Sequence, residues 1–253
     1  MSNNNLSNKV AVVTGGADGI GEGIARTLWA RGARVIIADI QEEKGEALAG
    51  ELGVNASFAL LDVTDPSSWE RLVTELESSP GRLDILVNNA GGGGFGNLDQ
   101  LTIEEWRKIM ALNMDSVFLG CKAASALLQA DGGGSIINIS STNANRAWPM
   151  FSGYCAAKAG MTMFSKCVAQ HFLETNANVR CNTVHPGPIE TPNFKRLSAA
   201  EGADQLMADW QKNNPFTEIG TVEDIAEVVA FLASDEARYV NASEFVAAGG
   251  TLL

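Results

Sequence analysis

Tyr154 and Lys158 stand four positions apart, and their types and spacing suit proton transfer. On a helix, positions i and i+4 lie on one face, one above the other. An ammonium held beside a phenol favours the phenolate, whose ordinary pKa is about 10. Such a pair can donate and accept a proton near neutral pH. The same two residues also fit an aromatic side chain packed beside a solvated lysine. Which reading holds depends on the rest of the chain.

A second constellation lies near the start. Val10-Ala-Val-Val13 reads as a buried strand. Thr14-Gly15-Gly16-Ala17-Asp18-Gly19-Ile20-Gly21 follows, opening a helix over 19–31. Glycines let the backbone turn sharply and approach a ligand closely. A helix N-terminus offers unpaired N–H groups and positive potential, which suit a pyrophosphate. The second strand, 34–38, leads to Asp39, 18 residues after Gly21. A carboxylate there can accept hydrogen bonds from adenosine ribose hydroxyls and would repel a 2′-phosphate. Neither Ala17 nor Ile40 is basic, so NAD is favoured over NADP. Asp62-Val63 follows a third strand at 57–61, placed to meet an adenine edge. Asn88-Asn89-Ala90-Gly91 follows a fourth at 83–87. All lie at the C-terminal ends of strands, where open α/β sheets bind ligands.

These residues need a scaffold, and the hydrophobic pattern supplies one. Further strands read at 135–139 and 179–184. Helices read at 42–52, 67–77, 102–128, 152–174 and 221–233. In the helix at 67–77, Trp69, Leu72, Val73 and Leu76 repeat at i, i+3, i+4 and i+7. Thr221 with Asp224 three positions on forms a capping pattern. Alternating strands and helices imply an α/β fold: a doubly wound parallel sheet with helices on both faces, in one domain over residues 1–253. The stretch 189–215 breaks the rhythm and has the length of a lid or binding loop.

Composition narrows the function. The chain has 253 residues, a formal net charge of -12 and 45% hydrophobic residues. That excludes disorder, and the absence of a basic cluster argues against nucleic acid. No apolar run reaches the roughly 20 residues of a membrane helix. The polar N-terminus lacks a signal-peptide core, so a cytoplasmic protein is expected. Cys121, Cys155, Cys167 and Cys181 show no zinc spacing, and with only His171 and His185 no metal site is expected.

In order and on these elements, the motifs resemble the classical short-chain dehydrogenase/reductase family over essentially the whole chain. They are Thr14-Gly-Gly-Ala-Asp-Gly-Ile-Gly21, Asp62, Asn88-Asn-Ala-Gly91, Asn113, Ser141, Tyr154-x-x-x-Lys158 and Pro186-Gly-Pro-Ile-Glu-Thr191. The resemblance implies a Rossmann-like sheet of about seven strands, the last near 244–246, and a homotetramer. It implies a catalytic set of Asn113, Ser141, Tyr154 and Lys158. Tyr154 would be acid and base, with its pKa lowered by Lys158. Ser141 would bond the substrate oxygen, and Asn113 would hold a water in a proton relay. Ser140 is a rival, but Ser141 lies 13 residues before Tyr154, the family's spacing. The cofactor set it implies is Gly15, Asp18, Gly19, Ile20, Gly21, Asp39, Ile40, Asp62, Val63, Asn89, Ala90, Gly91, Tyr154, Lys158, Pro186, Gly187, Ile189 and Thr191. Two departures stand out: the glycine-rich Gly92-Gly93-Gly94-Phe95-Gly96, and Ala248 where many relatives carry Asp.

Between serine and tyrosine, Asn143, Trp148 and Phe151 are expected in a substrate pocket with Ser141 and Tyr154. Phe194, Met207 and Trp210 are expected to close over it. This suggests an apolar, cyclic or aryl-bearing secondary alcohol or ketone. The alternatives are a 3-oxoacyl-thioester reductase and a non-catalytic NAD-binding sensor or scaffold.

Overall fold

The computed structural model describes residues 5–130, 132–198 and 219–251. Its centre is a sheet of seven parallel strands in the order β3-β2-β1-β4-β5-β6-β7. The strands are β1 (Val10–Thr14), β2 (Arg34–Asp39), β3 (Ala56–Leu60), β4 (Ile85–Asn88), β5 (Gly134–Ile139), β6 (Val179–Pro186) and β7 (Glu244–Ala247). The chain winds outward from β1 to β3, then returns to place β4 beside β1. That reversal opens a crevice at the carboxyl ends of β1 and β4.

Strands covered on both faces must be apolar on both, and every residue of β1 and β4 is buried. Alternate residues feed two cores. Val13, Ile37 and Val87 face α1 (Gly19–Ala30) and the late helix Val222–Ala233, through Ile24, Leu28, Ile225 and Val229. Val12, Ile36 and Leu86 face α3 (Pro66–Ser78), α5 (Ser116–Ala130) and α6 (Ser152–Glu174), through Trp69, Leu72, Leu128 and Phe172. Burying one such leucine or phenylalanine contributes about 1.5–3 kcal/mol. Among the described residues the remaining α-helices are α2 (Glu42–Leu52), α4 (Ile103–Met110) and α7 (Pro192–Ser198), and the late helix is labelled α8.

Several element boundaries differ from the sequence expectation. The fourth strand starts at Ile85, because the Asp84 carboxylate accepts from the Val10 amide at 2.8 Å and from Arg82. The single helix expected over 102–128 is α4 and α5 joined by a π-helical turn, Ala111–Asp115. Within that turn Asn113 Nδ2 donates to Ile109 O at 3.0 Å and to Gly92 O at 3.1 Å. Part of the excursion is α7; residues 199–218, which include the expected pocket residues Met207 and Trp210, lie outside the described residues. The capping box of Thr221 and Asp224 is present as read. Among the described residues no helix is long and apolar enough to cross a membrane.

Candidate active site

A cavity of about 750 Å³ occupies the crevice. One end is formed by the β1–α1 loop and the tips of β2 and β3. Thr14 Oγ1 accepts from the amides of Asn89 and Ala90, both at 3.0 Å. Asn89 Nδ2 donates to Thr14 O at 2.9 Å. These bonds tie the β1 loop to the tip of β4. Gly21 permits the close turn: a Cβ there would fall 1.9 Å from Gly15 O. The residue before α1, Asp18, does not cap the helix with its side chain; its carboxylate accepts from Lys44 Nζ at 2.6 Å. The first-turn amides of α1 are thus left without a side-chain cap beside the cavity, which Gly19 and Ile20 line. Asp39 is buried, with its carboxylate accepting from the amides of Ala17 and Gln41, each at 3.0 Å. Asp62 is more exposed and accepts from Thr64.

Side chains form the other end. Ser141 follows β5 and precedes a short turn, Thr142–Ala144, with its Oγ accepting from the Asn143 amide at 3.1 Å. Ser140 is one residue earlier and faces inward, bonding Thr162 Oγ1 at 3.0 Å and Lys158 O at 3.2 Å. Both serines border the cavity, but the Ser140 hydroxyl is engaged by these bonds, whereas that of Ser141 bonds the Tyr154 phenol. Tyr154 and Lys158 are on the first turns of α6, one above the other as the spacing requires. Lys158 is buried, 5.5 Å from the Tyr154 ring centroid, and its ammonium donates to Ile139 O at 2.8 Å.

The electrostatics differ from the simple ion–phenol expectation. Burial pushes the Tyr154 phenol up to about 12, while the Ser141 hydroxyl pulls the other way. Burial pushes the Lys158 ammonium down to about 7. Removal from water is the largest cause of each shift, and it moves each group towards its neutral form relative to its ordinary value. The two side chains are together as expected, while the phenol shifts up rather than down.

Most of the residues expected around a cofactor line this cavity: Gly15, Asp18, Gly19, Ile20, Asp39, Ile40, Asp62, Val63, Asn89, Ala90, Gly91, Pro186, Gly187, Ile189 and Thr191. Gly21 does not line it and instead shapes its loop. Asn113 is fully buried behind the wall, its Oδ1 accepting from the Gly92 amide at 2.9 Å. Of the expected substrate pocket, Ser141, Tyr154 and Phe194 line the cavity, whereas Asn143, Trp148 and Phe151 do not. Trp148 lies against the Arg146 guanidinium at 4.9 Å, and Phe151 packs edge-on to Phe95 and Tyr154. The glycine-rich loop borders the site: Gly96 pairs with Phe151, and Gly92, Gly93 and Gly94 all have positive φ. Gly92, from the glycine-rich run noted in the sequence, also lines the cavity, as do Gln41, Leu61, Asn193 and Arg196, which were not singled out. Gln41 and Leu61 neighbour motif residues; Asn193 and Arg196 lie on α7, which has no motif.

The shape and donors fit a dinucleotide. The uncapped α1 amides suit a pyrophosphate, and the Asp39 carboxylate suits ribose hydroxyls. Gly91 keeps the space beside Lys158 open: a Cβ there would lie 2.8 Å from Asn113 Oδ1 and 3.2 Å from Lys158 Nζ.

Comparison with known proteins finds relatives over nearly the whole chain. A family model described as enoyl-(acyl carrier protein) reductase matches residues 15–251. The 3-alpha-(or 20-beta)-hydroxysteroid dehydrogenase of Mycobacterium tuberculosis is 37% identical over 98% of this chain and 90% of its own. The NADP-dependent (R)-specific alcohol dehydrogenase of Lentilactobacillus kefiri is 37% identical over 97% of each. The crystal structure of gox2181 superposes with a TM-score of 0.92 at 29% identity, covering 100% of this chain and 99% of that one.

Proposed function

The chain belongs to the classical short-chain dehydrogenase/reductase family of oxidoreductases, and we propose that it interconverts a secondary alcohol and a ketone with NAD(H). One observation carries this reading. Ser141, Tyr154 and Lys158 line the same cavity as the uncapped start of α1 and the Asp39 carboxylate. A proton-transfer end and a dinucleotide end share one space.

A bound nicotinamide would supply the hydride chemistry. The protein's part is to hold substrate and move the proton. In ketone reduction, charge builds on the substrate oxygen, where the Ser141 and Tyr154 hydroxyls can meet it. Tyr154 then gives up its proton as general acid, a role worth about 10²–10⁴-fold. A phenol held up to about 12 is protonated at neutral pH, the form that reduction requires. Alcohol oxidation requires the phenolate, which Lys158 favours when charged. Asn113 acts from behind the wall, fixing the Gly92 backbone beside Lys158.

NAD is preferred in this proposal because Asp39 opposes a 2′-phosphate. The substrate is apolar and cyclic or aryl-bearing, a reading supported by Phe194 on the cavity wall and by a relative named for hydroxysteroids. Reduction of a 3-oxoacyl thioester is the second reading, favoured by the acyl-carrier description of the matching family model. The chain acts as one domain in a cytoplasmic homotetramer.

The test is a panel of cyclic, aryl and linear secondary alcohols and a 3-oxoacyl thioester, each run with NAD(H) and NADP(H). Absorbance of the reduced cofactor should change fastest with NAD and a cyclic or aryl alcohol. Tight NAD binding with no turnover on any substrate would mean a non-catalytic sensor.

A further inference from the structure

The chain's one fully buried histidine among the described residues, His185 on β6, has no part in the scheme above. Its ring lies directly behind Ser141. Nδ1 is 3.1 Å from Ser141 O, and Nε2 is 2.9 Å from Thr183 Oγ1. A carbonyl oxygen can only accept, so the proton of this contact is on Nδ1. In the neutral ring Nε2 is then the acceptor, and the Thr183 hydroxyl donates to it. The other acceptor near that hydroxyl, Ser243 O, is farther at 3.5 Å.

The Ser141 carbonyl receives two bonds, from His185 and from the Ala144 amide at 3.0 Å. The Ser141 Oγ receives the Asn143 amide at 3.1 Å. The far end of the same turn is tied by Asn145 Nδ2 to Glu244 Oε2 at 3.4 Å. The charged groups around the ring are Glu244 on β7, 3.7 Å from Nε2, and Lys158 and Lys166 on α6. Glu244 is itself paired with Lys166 at 2.7 Å. Burial holds the His185 pKa below its ordinary value, opposed by Glu244 and the Ser141 carbonyl and assisted by the two lysines.

We propose that His185 is a positioning residue: kept by Thr183 as the Nδ1–H tautomer, it donates to the Ser141 carbonyl and sets where the Ser141 hydroxyl points. The consequence for turnover rests on the oxidoreductase reading of Ser141. The positioning itself rests on the contacts alone.

The chain has two histidines, so ring nitrogen NMR of the wild-type protein can resolve both, with exposed His171 as reference. At neutral pH and above, His185 should be neutral with its proton on Nδ1. A proton on Nε2 instead would overturn the proposal, whatever any variant does. Two substitutions extend the test. His185→Asn keeps an amide N–H near the place of Nδ1; His185→Gln moves it towards Nε2. The Asn143 amide, bonded to Ser141 Oγ, reports the turn without any substrate. It should keep its wild-type shift and exchange protection in His185→Asn and lose both in His185→Gln. On the best alcohol of the panel, His185→Gln should lower kcat by roughly tenfold to a hundredfold with KM for NAD unchanged, and His185→Asn should restore most of it. Identical behaviour of the two variants would overturn positioning. Absence of wild-type turnover would overturn the oxidoreductase reading, while the tautomer and the Asn143 amide would still decide the role of His185.

Discussion

The two ends of the cavity are made of different material. The adenosine end is largely backbone: the loop from Gly15 to Gly21, the uncapped start of α1, and the tip of β4, cross-tied by Thr14 and Asn89. The reacting end is largely side chains from separate elements: Ser141 after β5, Tyr154 and Lys158 on α6, and Phe194 on α7. A site made of backbone restricts residue types at fixed spacings, because only glycine can turn or approach so closely. A pocket made of side chains allows many residue types and leaves little pattern. In the proposed function the difference also separates roles: the first end is assigned to the cofactor and the second to the choice of substrate.

The largest effects should come from breaking the backbone end. Gly21→Ala places a methyl group against Gly15 O and should weaken NADH binding by at least about a hundredfold (~2.7 kcal/mol), read by fluorescence titration. Unchanged binding would show that the loop tolerates a side chain.

At the reacting end, function and stability should move in opposite directions. Lys158→Met removes a buried ammonium whose pKa is pushed down to about 7. The folded state binds this proton less tightly than the unfolded chain, so Lys158 costs stability at low pH. The cost falls as pH rises from about 7 towards the ordinary lysine value of about 10.4. The variant should therefore lose turnover while gaining on the order of 2 kcal/mol at pH 7 without cofactor, less at pH 9, by denaturant unfolding. Equal stability at both pH values would contradict the burial argument.

Smaller effects sharpen the contrast. Asp39→Asn removes the charge that opposes a 2′-phosphate and should lower the NAD-to-NADP ratio of kcat/KM by about tenfold, ~1.4 kcal/mol. Phe194→Ala should raise the substrate KM several-fold and leave that of NAD unchanged, whereas Trp148→Ala, stacked on Arg146 away from the cavity, should change neither. Both are read from steady-state kinetics.

Legibility in the sequence follows the same division. Six of the seven parallel strands were readable because buried strands are short apolar runs between helical periods; the seventh followed only from the family resemblance, and the glycine loop and Asp39 pointed to the proposed cofactor end. The break of the 102–128 helix at Ala111–Asp115 was not, because its partner is the Gly92 backbone, far away in sequence. Trp148 and Phe151 suggested a pocket wall from their position between Ser141 and Tyr154. Their actual partners, Arg146 and Phe95, are set by tertiary packing. Arg196 and Asn193 escaped notice because α7 has no motif. The depressed ammonium of Lys158 was hidden too, since spacing shows proximity and not burial.

In the proposed function Tyr154 transfers the proton, and the backbone end of the cavity holds the cofactor without help from its hydroxyl. Tyr154→Phe keeps the ring and removes only the phenolic oxygen. With the best alcohol of the panel, turnover should fall by about 10²–10⁴-fold while NADH binds as in the wild-type protein. Turnover near the wild-type rate in that variant would contradict the account.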